Sequence, residues 1–247
     1  YVTVANPASG SRRIWAKAFD RYGASRFSAT NTVTVQTSQV VLDLAFDGSL
    51  SDSSPRRLAT TAHGALPLTV GVKNQAVRFG EARYLTVDNA APLNFGGEDF
   101  SVEAWIQASA WPVAGRACLW SHSTSSGGGL WLNYSSSGVV LEWTPAISAA
   151  VSLAPDVWHH LAVARRGSVF SLYVDGSLRR TATYAAAMAA STGPVSVGGG
   201  SGGNPFDGLI DELRVTRGQA LYLDPTYPFN PPPLVTLTSS AAGTALA

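Results

Sequence analysis

The sequence predicts an all-β protein in which short antiparallel strands form a two-sheet sandwich. Apolar and polar residues alternate with a period of two along most of the 247 residues, which is the pattern of half-buried strands. Gly, Pro, Ser and Asn interrupt this alternation at short intervals, as turns require. The helix-like run TYAAAMAAST, at 183–192, lies between two strand patterns, so we predict a loop or a single turn there. Many short strands at this spacing are typical of two sheets packed face to face.

Eleven segments carry the strand pattern. Each combines β-branched or aromatic residues with alternation, and each ends at a cluster of turn residues. In chain order, the predicted strands are QVVLDLAFD at 39–47, QAVRFG at 75–80, YLTVDN at 84–89, FSVEAWIQA at 100–108, ACLWSHS at 117–123, GLWLNYS at 129–135, GVVLEWT at 138–144, HHLAVARR at 159–166, VFSLYVDG at 169–176, PVSVGGG at 194–200 and IDELRVTR at 210–217.

The chain divides into three predicted parts. Residues 1–37 contain a strand, a turn and a second strand, which we interpret as the end of a preceding β domain. Residues 38–229 form the main sandwich. Residues 230–247 begin with a run of Pro, which stiffens a chain, and we predict a linker there that leads elsewhere. The start at YVTVANP, without Met, favours a piece of a longer protein.

Charge and composition exclude several classes of function. The net charge of +1 creates no basic field for nucleic acid or an anionic membrane. No apolar run approaches the roughly 18 residues that a membrane-spanning helix needs. We therefore expect no nucleic-acid binding and no membrane insertion. The single cysteine, Cys118, excludes an intrachain disulfide and predicts a small buried side chain.

Four stretches of the sequence carry a resemblance to a known family. They are LDLAFDGSLSDSS, FSVEAWIQ, WHHLAVARRGSVFSLYVDG and FDGLIDELRVTRGQALY, and they follow one another in the expected order. Residues 39–229 resemble a laminin-G-like, concanavalin A-like jelly-roll domain. The end RGQALYLDPTYPFNPPP resembles a version found in phage tail and tail-fibre proteins, and residues 12–36 resemble the last two strands of a fibronectin type III domain.

This order of domains is similar to that of tail-tip host-specificity proteins of phages. The resemblance implies a non-enzymatic recognition module in a virion tail, a phage-like particle or another extracellular surface. Its expected partners are a cell-surface polysaccharide or lipopolysaccharide and other tail proteins, and we expect a homo-oligomer within a larger assembly. The alternatives are a structural decoration domain without a ligand and a glycan-cleaving enzyme. Fold alone does not decide among them.

Alternation also separates an aliphatic side of several strands from a side rich in Trp, Tyr, His, Glu and Asn. The apolar face of a sugar ring stacks on an indole, and its hydroxyls bond to amides and carboxylates. We therefore predict a glycan-binding surface on one face of one sheet, with the glycine-rich segments at 124–130 and 198–206 at its rim. The alternative is that these Trp side chains pack under loops or a neighbouring module. The predicted ligand-binding residues are Glu103, Trp105, Trp120, His122, Trp131, Asn133, Glu142, His160 and Tyr173.

The adjacent carboxylates Asp211 and Glu212 point to opposite faces of the predicted last strand, so they cannot form one acid/base pair. Regular alternation puts Asp211 on the same face as Leu213, where a carboxylate needs a partner. One interpretation is hydrogen bonding to backbone amides. The resemblance implies another, a structural Ca²⁺ bound by Asp47, Asp52 and Asp211, because short acidic loops supply the oxygen ligands that Ca²⁺ takes.

Motifs for catalysis are sparse in this sequence. Three strands carry a single acid each, at Glu103, Glu142 and Asp175, whereas a retaining glycosidase needs two carboxyl groups about 5 Å apart. Glu103 and Glu142 are the pair that would meet if their strands were neighbours, and they carry the enzyme alternative.

Overall fold

The computed structural model describes residues 10–14, 17–19, 25–27, 31–35, 39–88, 91–111, 115–122, 128–135, 138–200 and 203–221. Contacts within the chain divide it into two compact units. One is Gln39–Phe229, and the other combines Tyr1–Ser38 with Asn230–Ala247. The three-part division made from the sequence stays a prediction.

The smaller unit contains two antiparallel strand pairs in its described part. β1 (Gly10–Ile14) pairs with β4 (Asn31–Val35), and β2 (Lys17–Phe19) pairs with β3 (Ser25–Phe27). The assignment of this region to a fibronectin type III domain remains a prediction.

The larger unit contains fifteen strands among its described residues, together with a short 3-10 turn at Ala91–Leu93. The strands are β5 (Gln39–Leu44), β6 (Thr60–His63), β7 (Leu68–Val70), β8 (Gln75–Phe79), β9 (Tyr84–Val87), β10 (Phe100–Ala108), β11 (Gly115–His122), β12 (Gly129–Ser135), β13 (Gly138–Thr144), β14 (Ile147–Val151), β15 (His159–Arg166), β16 (Val169–Val174), β17 (Ser177–Thr183), β18 (Val195–Val197) and β19 (Gly208–Arg217).

These strands form two antiparallel sheets. The front sheet has the order β17-β16-β15-β10-β19-β8-β7, and β5 also pairs with β19. The back sheet has the order β14-β13-β12-β11-β18-β9-β6. The first and last strands of the unit, β5 and β19, are neighbours, with Leu44 opposite Leu213. The predicted all-β, two-sheet sandwich is therefore confirmed.

One hydrophobic core fills the space between the sheets. Its largest side chains are aromatic: Trp120 stacks on Trp143 with ring centroids 5.3 Å apart, and Phe95 stacks on Phe100 at 4.1 Å. Aliphatic residues from both sheets surround these rings, including Leu42, Leu132, Val163 and Val215. Burial of this many apolar side chains supplies most of the driving force for folding.

A β-bulge in β11 changes which residues face the core. Cys118 lies opposite Trp131, but Trp120 lies opposite Leu130, so β11 contains one extra residue at this point. Leu119 and Trp120 consequently both enter the core, and both are fully buried. Regular alternation puts Trp120 on the outer face, and that prediction is wrong.

A second bulge lies in β19. Glu103 pairs with Arg214 but Trp105 pairs with Asp211, and the extra residue, Glu212, has a φ of 48°. Asp211 therefore lies on the outer side of the front sheet, as its partner Trp105 does, while Leu213 faces the core. The prediction that Asp211 and Leu213 share a face is wrong for this reason.

Four strands of the larger unit were missed by the sequence analysis: β6, β7, β14 and β17. Every residue of β17 except Ala182 is exposed, so hydrophobic alternation is absent there even though the strand pairs with β16. The run at 183–192 forms no helix, as predicted. No helix in the described segments has the length and apolar character needed to cross a bilayer.

Candidate functional site

The nine predicted ligand-binding residues lie in three separate places. Glu103, Trp105, His160 and Tyr173 belong to the front sheet, and the other five belong to the back sheet. Alternation within a strand does not say which sheet the strand joins, so the prediction of one shared face is wrong. Whether individual members bind a ligand stays a prediction.

The outer face of the front sheet holds a buried ionic cluster. Glu103 accepts a hydrogen bond from Arg214 Nε at 2.6 Å and lies 3.1 Å from His160 Nε2. The Trp105 ring meets the His160 ring edge to face, with centroids 5.2 Å apart. The side chains of Glu103 and His160 are each only 4% exposed, so this cluster is a packed polar network and not an open platform.

The segment that follows β19 covers part of the same face. The Ser101 hydroxyl accepts a hydrogen bond from the Leu221 amide at 2.7 Å and donates to the Gln219 carbonyl at 3.3 Å. Ala220 packs on Tyr173 and on two alanines of β15. Burial raises the pKa of the Tyr173 hydroxyl. This arrangement agrees with the alternative in which aromatic residues pack under another part of the chain.

The outer face of the back sheet keeps Trp131, Asn133 and Glu142 together. Glu142 forms an ion pair with Arg116 and accepts hydrogen bonds from Asn133 Nδ2 at 2.5 Å and Thr144 Oγ1 at 2.6 Å. The Arg116 guanidinium lies 3.9 Å from the Trp131 ring centroid. The Glu142 carboxylate is thus engaged by intrachain donors, and Arg116 covers one face of the indole.

The remaining two predicted residues, Trp120 and His122, are fully buried. They share a side of β11, as predicted, but the bulge turns that side toward the core. Among the described residues, neither nitrogen of the His122 ring has a hydrogen-bond partner, and burial lowers the pKa of this histidine from 6.5 to about 4. His122 is therefore neutral at physiological pH.

Two further expectations concern catalytic chemistry. Glu103 and Glu142 lie on the outer faces of different sheets, so they cannot act on one glycosidic bond, and that pairing is wrong. Cys118 is buried as predicted, and burial raises the pKa of its thiol to about 12. Its thiolate is therefore not accessible as a nucleophile.

The three predicted calcium ligands each accept hydrogen bonds from the chain. Asp52 is buried and accepts from the amides of Asp43, Ser54 and Leu58 at 2.8–2.9 Å. The Asp52 carboxylate therefore stabilises the loop that follows β5. N–H donors surround this carboxylate, whereas Ca²⁺ requires oxygen ligands, so the Asp52 environment does not fit the ion.

Asp211 and Asp47 hold the hairpin between β7 and β8. Asp211 is fully buried and accepts from the Lys73 amide at 3.0 Å and from the Glu212 amide at 2.8 Å. Burial raises its pKa to about 6. Asp47 accepts from Asn74 Nδ2 at 3.0 Å, and this bond lowers its pKa. Within the described part of the chain, no three His, Cys, Asp or Glu side chains form a group that could hold a metal ion.

A cleft at one end of the sandwich, which we name the rim cleft, consists of two adjoining pockets. The His63 pocket has a volume of about 700 Å³ and the Trp111 pocket about 350 Å³, both within the range of small-molecule sites. Both are lined by Gly80, Glu81, Arg83 and Pro205. The His63 pocket adds His63, Ala82, Tyr84, Gly199, Gly200 and Gly203, and the Trp111 pocket adds Ala110, Trp111, Ala117, Tyr134, Phe206 and Asp207.

Each pocket has an aromatic wall. His63 ends β6 and lies opposite Tyr84 at the start of β9, so their rings stack with centroids 4.2 Å apart and an interplanar angle of 7°. Trp111 follows β10, where its Nε1 donates to the Leu153 carbonyl at 2.8 Å, and its ring lies 6.0 Å from that of Tyr134 on β12. Aromatic rings in a polar cleft are suited to stack on sugar rings.

Two glycines shape the loops around the cleft. A Cβ at Gly80 would collide with the Arg83 guanidinium, which folds back over the turn between β8 and β9. Gly198 has a φ of 72°, and a Cβ there would collide with the Phe79 ring. The loop after Gly198 returns to the sheet, because the Phe206 amide donates to the Gly198 carbonyl at 3.0 Å. Gly198 therefore leaves no room for a side chain beside Phe79, whereas at Gly80 the Arg83 side chain can move aside.

Charged groups border both pockets. In the part of the chain that the structure describes, neither Arg83 nor Glu81 takes part in an ion pair. Asp207 pairs with Arg78 at 3.1 Å. Burial, together with the nearby Asp207 charge, raises the pKa of Tyr134, so its hydroxyl stays protonated and can donate a hydrogen bond.

Most of this cleft was not predicted from the sequence. The predicted rim loop at 198–206 does contribute Gly199, Gly200 and Pro205. The remaining lining residues come from strands, strand ends and a tight turn, and the pairing of β6 with β9 places His63 opposite Tyr84. An aromatic residue at the end of each paired strand is a weak sequence pattern, since it becomes informative only when the pairing is known.

Comparison of sequences assigns the family. The profile of the concanavalin A-like lectin/glucanases superfamily, in its laminin G group, matches residues 79–221. The chain belongs to this superfamily. The expected laminin-G-like, concanavalin A-like fold is thereby confirmed, and the domain is lectin-like. No curated protein sequence matches the chain.

Solved structures share this concanavalin A-like fold at low sequence identity. The binding domain of Paraclostridial Mosquitocidal Protein 1 has a TM-score of 0.59 at 15% identity, covering 74% of this chain and 49% of that one. Domain 4 of AbnA, an extracellular GH43 arabinanase of Geobacillus stearothermophilus solved with arabinotriose, has a TM-score of 0.60 at 17% identity, covering 77% and 98%.

The binding domain of Botulinum neurotoxin DC, solved with rat synaptotagmin II, has a TM-score of 0.56 at 13% identity, covering 74% of this chain and 49% of that one. The concanavalin A-like chain thus spans about half the length of the two toxin binding domains.

Proposed function

We propose that this chain is a non-enzymatic recognition module that binds a host cell-surface glycan through the rim cleft. The observation that carries the proposal is the cleft itself, in which two aromatic walls flank an arginine and a glutamate that form no ion pair among the described residues. Rings for stacking and free polar groups for hydroxyls are the two components of a sugar site. Arabinotriose bound to a domain of the same fold supports this chemistry.

The proposed setting is the tail of a phage or phage-like particle. The support is the sequence resemblance of the last strand and the following segment to tail proteins, together with the fibronectin-like segment that precedes the sandwich. A tail that carries several copies gains avidity, so modest affinity at each cleft is sufficient for attachment. Polysaccharide or lipopolysaccharide is the proposed ligand class, and other tail proteins are the proposed structural partners.

Replacing Tyr84 by alanine is expected to weaken glycan binding while the chain stays folded, with a loss of about 0.5–1.5 kcal/mol of stability from its stacking on His63. Tyr84 is half-buried at the cleft wall, and stacking on one ring is worth about 0.5–1.5 kcal/mol, which corresponds to about a two- to tenfold loss of affinity. Binding of the purified chain is measured on an array of bacterial polysaccharides and lipopolysaccharides, and then by calorimetry with the glycan that binds.

Trp131→Ala is the matched control, because Trp131 is also a half-buried aromatic residue but lies on the outer face of the back sheet. It is expected to retain full affinity. If Trp131→Ala loses glycan binding and Tyr84→Ala does not, the site lies on the back sheet, which contains part of the surface predicted from the sequence. A folded chain that binds no glycan on the array would contradict the proposed function and favour a structural role.

Structural calcium stays a separate prediction. If an ion binds only the folded chain, removing it with a chelator lowers the melting temperature and adding Ca²⁺ back restores it. The carboxylates of Asp52 and Asp211 accept hydrogen bonds from backbone amides of the loops they contact. A melting temperature that is the same in chelator and in Ca²⁺ would contradict the calcium prediction.

A further inference from the structure

We infer that the rim cleft binds at least two consecutive units of a linear oligosaccharide, one in each pocket, and not a single terminal sugar. This inference rests on the proposed function and adds the class of glycan. Its starting point is the division of the cleft into two adjoining pockets of about 700 and 350 Å³ that share Gly80, Glu81, Arg83 and Pro205.

Each pocket has what is needed to hold a sugar unit independently. The stacked pair His63 and Tyr84 forms the wall of one pocket, and the pair Trp111 and Tyr134 forms the wall of the other. A site for a single sugar requires one such wall, whereas an aromatic wall in each of two pockets that share four lining residues matches the repeat of rings along a glycan chain.

The junction between the pockets is polar. Arg83 and Glu81 border both pockets. Among the described residues, neither of them forms an ion pair. A guanidinium presents several N–H donors in a plane, and a carboxylate accepts from hydroxyls. Placed between two rings, these groups can bond the hydroxyls on either side of a glycosidic linkage. Asp207, with a side chain 61% exposed, provides a further acceptor in the Trp111 pocket.

The test is the dependence of affinity on chain length. The probes are linear oligosaccharides of increasing length, prepared from the polysaccharide that binds the chain on the array. For the native chain, affinity is expected to rise about two- to tenfold once the oligosaccharide reaches both pockets. Tyr134→Ala is expected to lose this gain, so that long and short probes bind this variant with similar affinity.

Two further variants separate the possible explanations. Arg83→Ala is expected to weaken short and long probes by a similar factor, because Arg83 borders both pockets. Asp207→Ala repeats the Tyr134→Ala test with an exposed side chain, in case the tyrosine variant fails to fold. If Tyr134→Ala and Asp207→Ala both keep the full gain with length, the two-unit inference is wrong while glycan binding stands. If the chain binds no glycan, the proposed function and the two-unit inference are both wrong.

Discussion

Replacing Trp120 by alanine is expected to lower the free energy of unfolding by about 3–5 kcal/mol, the usual cost of deleting a large aromatic side chain from a core. The side chain is fully buried, and its ring stacks on Trp143 at 5.3 Å and on Phe95 at 5.9 Å. Its Nε1 has no hydrogen-bond partner in the part of the chain that the structure describes, so the expected loss is one of packing. Urea denaturation followed by fluorescence or circular dichroism measures it.

Trp131→Ala is the control for this experiment. Trp131 is half-buried and contacts Arg116 through its ring, a type of contact worth about 0.5–1 kcal/mol at exposed sites. The two tryptophans therefore separate by several kcal/mol, although the sequence pattern treated them alike. A Trp120→Ala chain with native stability but lost attachment to cells would show that Trp120 faces a ligand, as alternation alone suggested.

Replacing His122 by phenylalanine is expected to change how stability depends on pH. Burial lowers the pKa of His122 from 6.5 to about 4, so the unfolded chain binds more protons than the folded chain between these values. The stability that the neutral histidine contributes is present above pH 6.5 and is lost as the pH falls through about 4. The loss is about 3 kcal/mol, at about 1.4 kcal/mol for each pKa unit. The His122→Phe variant is expected not to show this loss of stability in acid.

Asp211 acts in the opposite direction and supplies the control. Its pKa is raised from 3.8 to about 6, so its contribution is present below pH 3.8 and is lost as the pH rises through about 6. Between pH 4 and 6 the two groups partly cancel in the native chain. As the pH falls, the free energy of unfolding of His122→Phe should therefore rise relative to that of the native chain. The free energy of unfolding of Asp211→Asn should fall relative to it.

The measurement is the urea midpoint at several values between pH 4 and 7 for the three proteins. Differences between each variant and the native chain isolate one group, because other carboxylates, such as Asp47 and Glu98 with their lowered pKa values, are common to all three. If the curve of His122→Phe runs parallel to that of the native chain over this range, His122 takes up its proton equally well in the folded and unfolded states.

Alternation predicted the interior strands closely. The bounds of β10, β12, β13 and β15 agree with the predicted segments, because these strands bury one side in the core and polar residues occupy the other. β17 was not predicted, because its residues are exposed on both sides at the edge of the front sheet. Hydrophobic periodicity reports burial and not backbone hydrogen bonding, so an exposed edge strand leaves no periodic pattern.

The candidate site was only partly predictable for a related reason. A strand's alternation says which of its residues share a side, and it was right for Glu103, Trp131 and His160. Its two failures, at Trp120 and at Asp211, both lie at bulges. One extra residue reverses every later side chain, and the sequence contains no local mark of where the partner strand lacks a residue.

What the sequence by itself determined is the all-β class, the two-sided character of most core strands, and membership in a concanavalin A-like family, because these depend on local periodicity and on motifs within single strands. Only the tertiary structure decided which strands are neighbours. The pairing of β6 with β9 stacks His63 on Tyr84, and Gly199, Gly200 and Pro205, which follow β18, line the cleft beside them. Residues distant in sequence form such a site only after nonlocal hydrogen bonding and core packing have set the order of the strands.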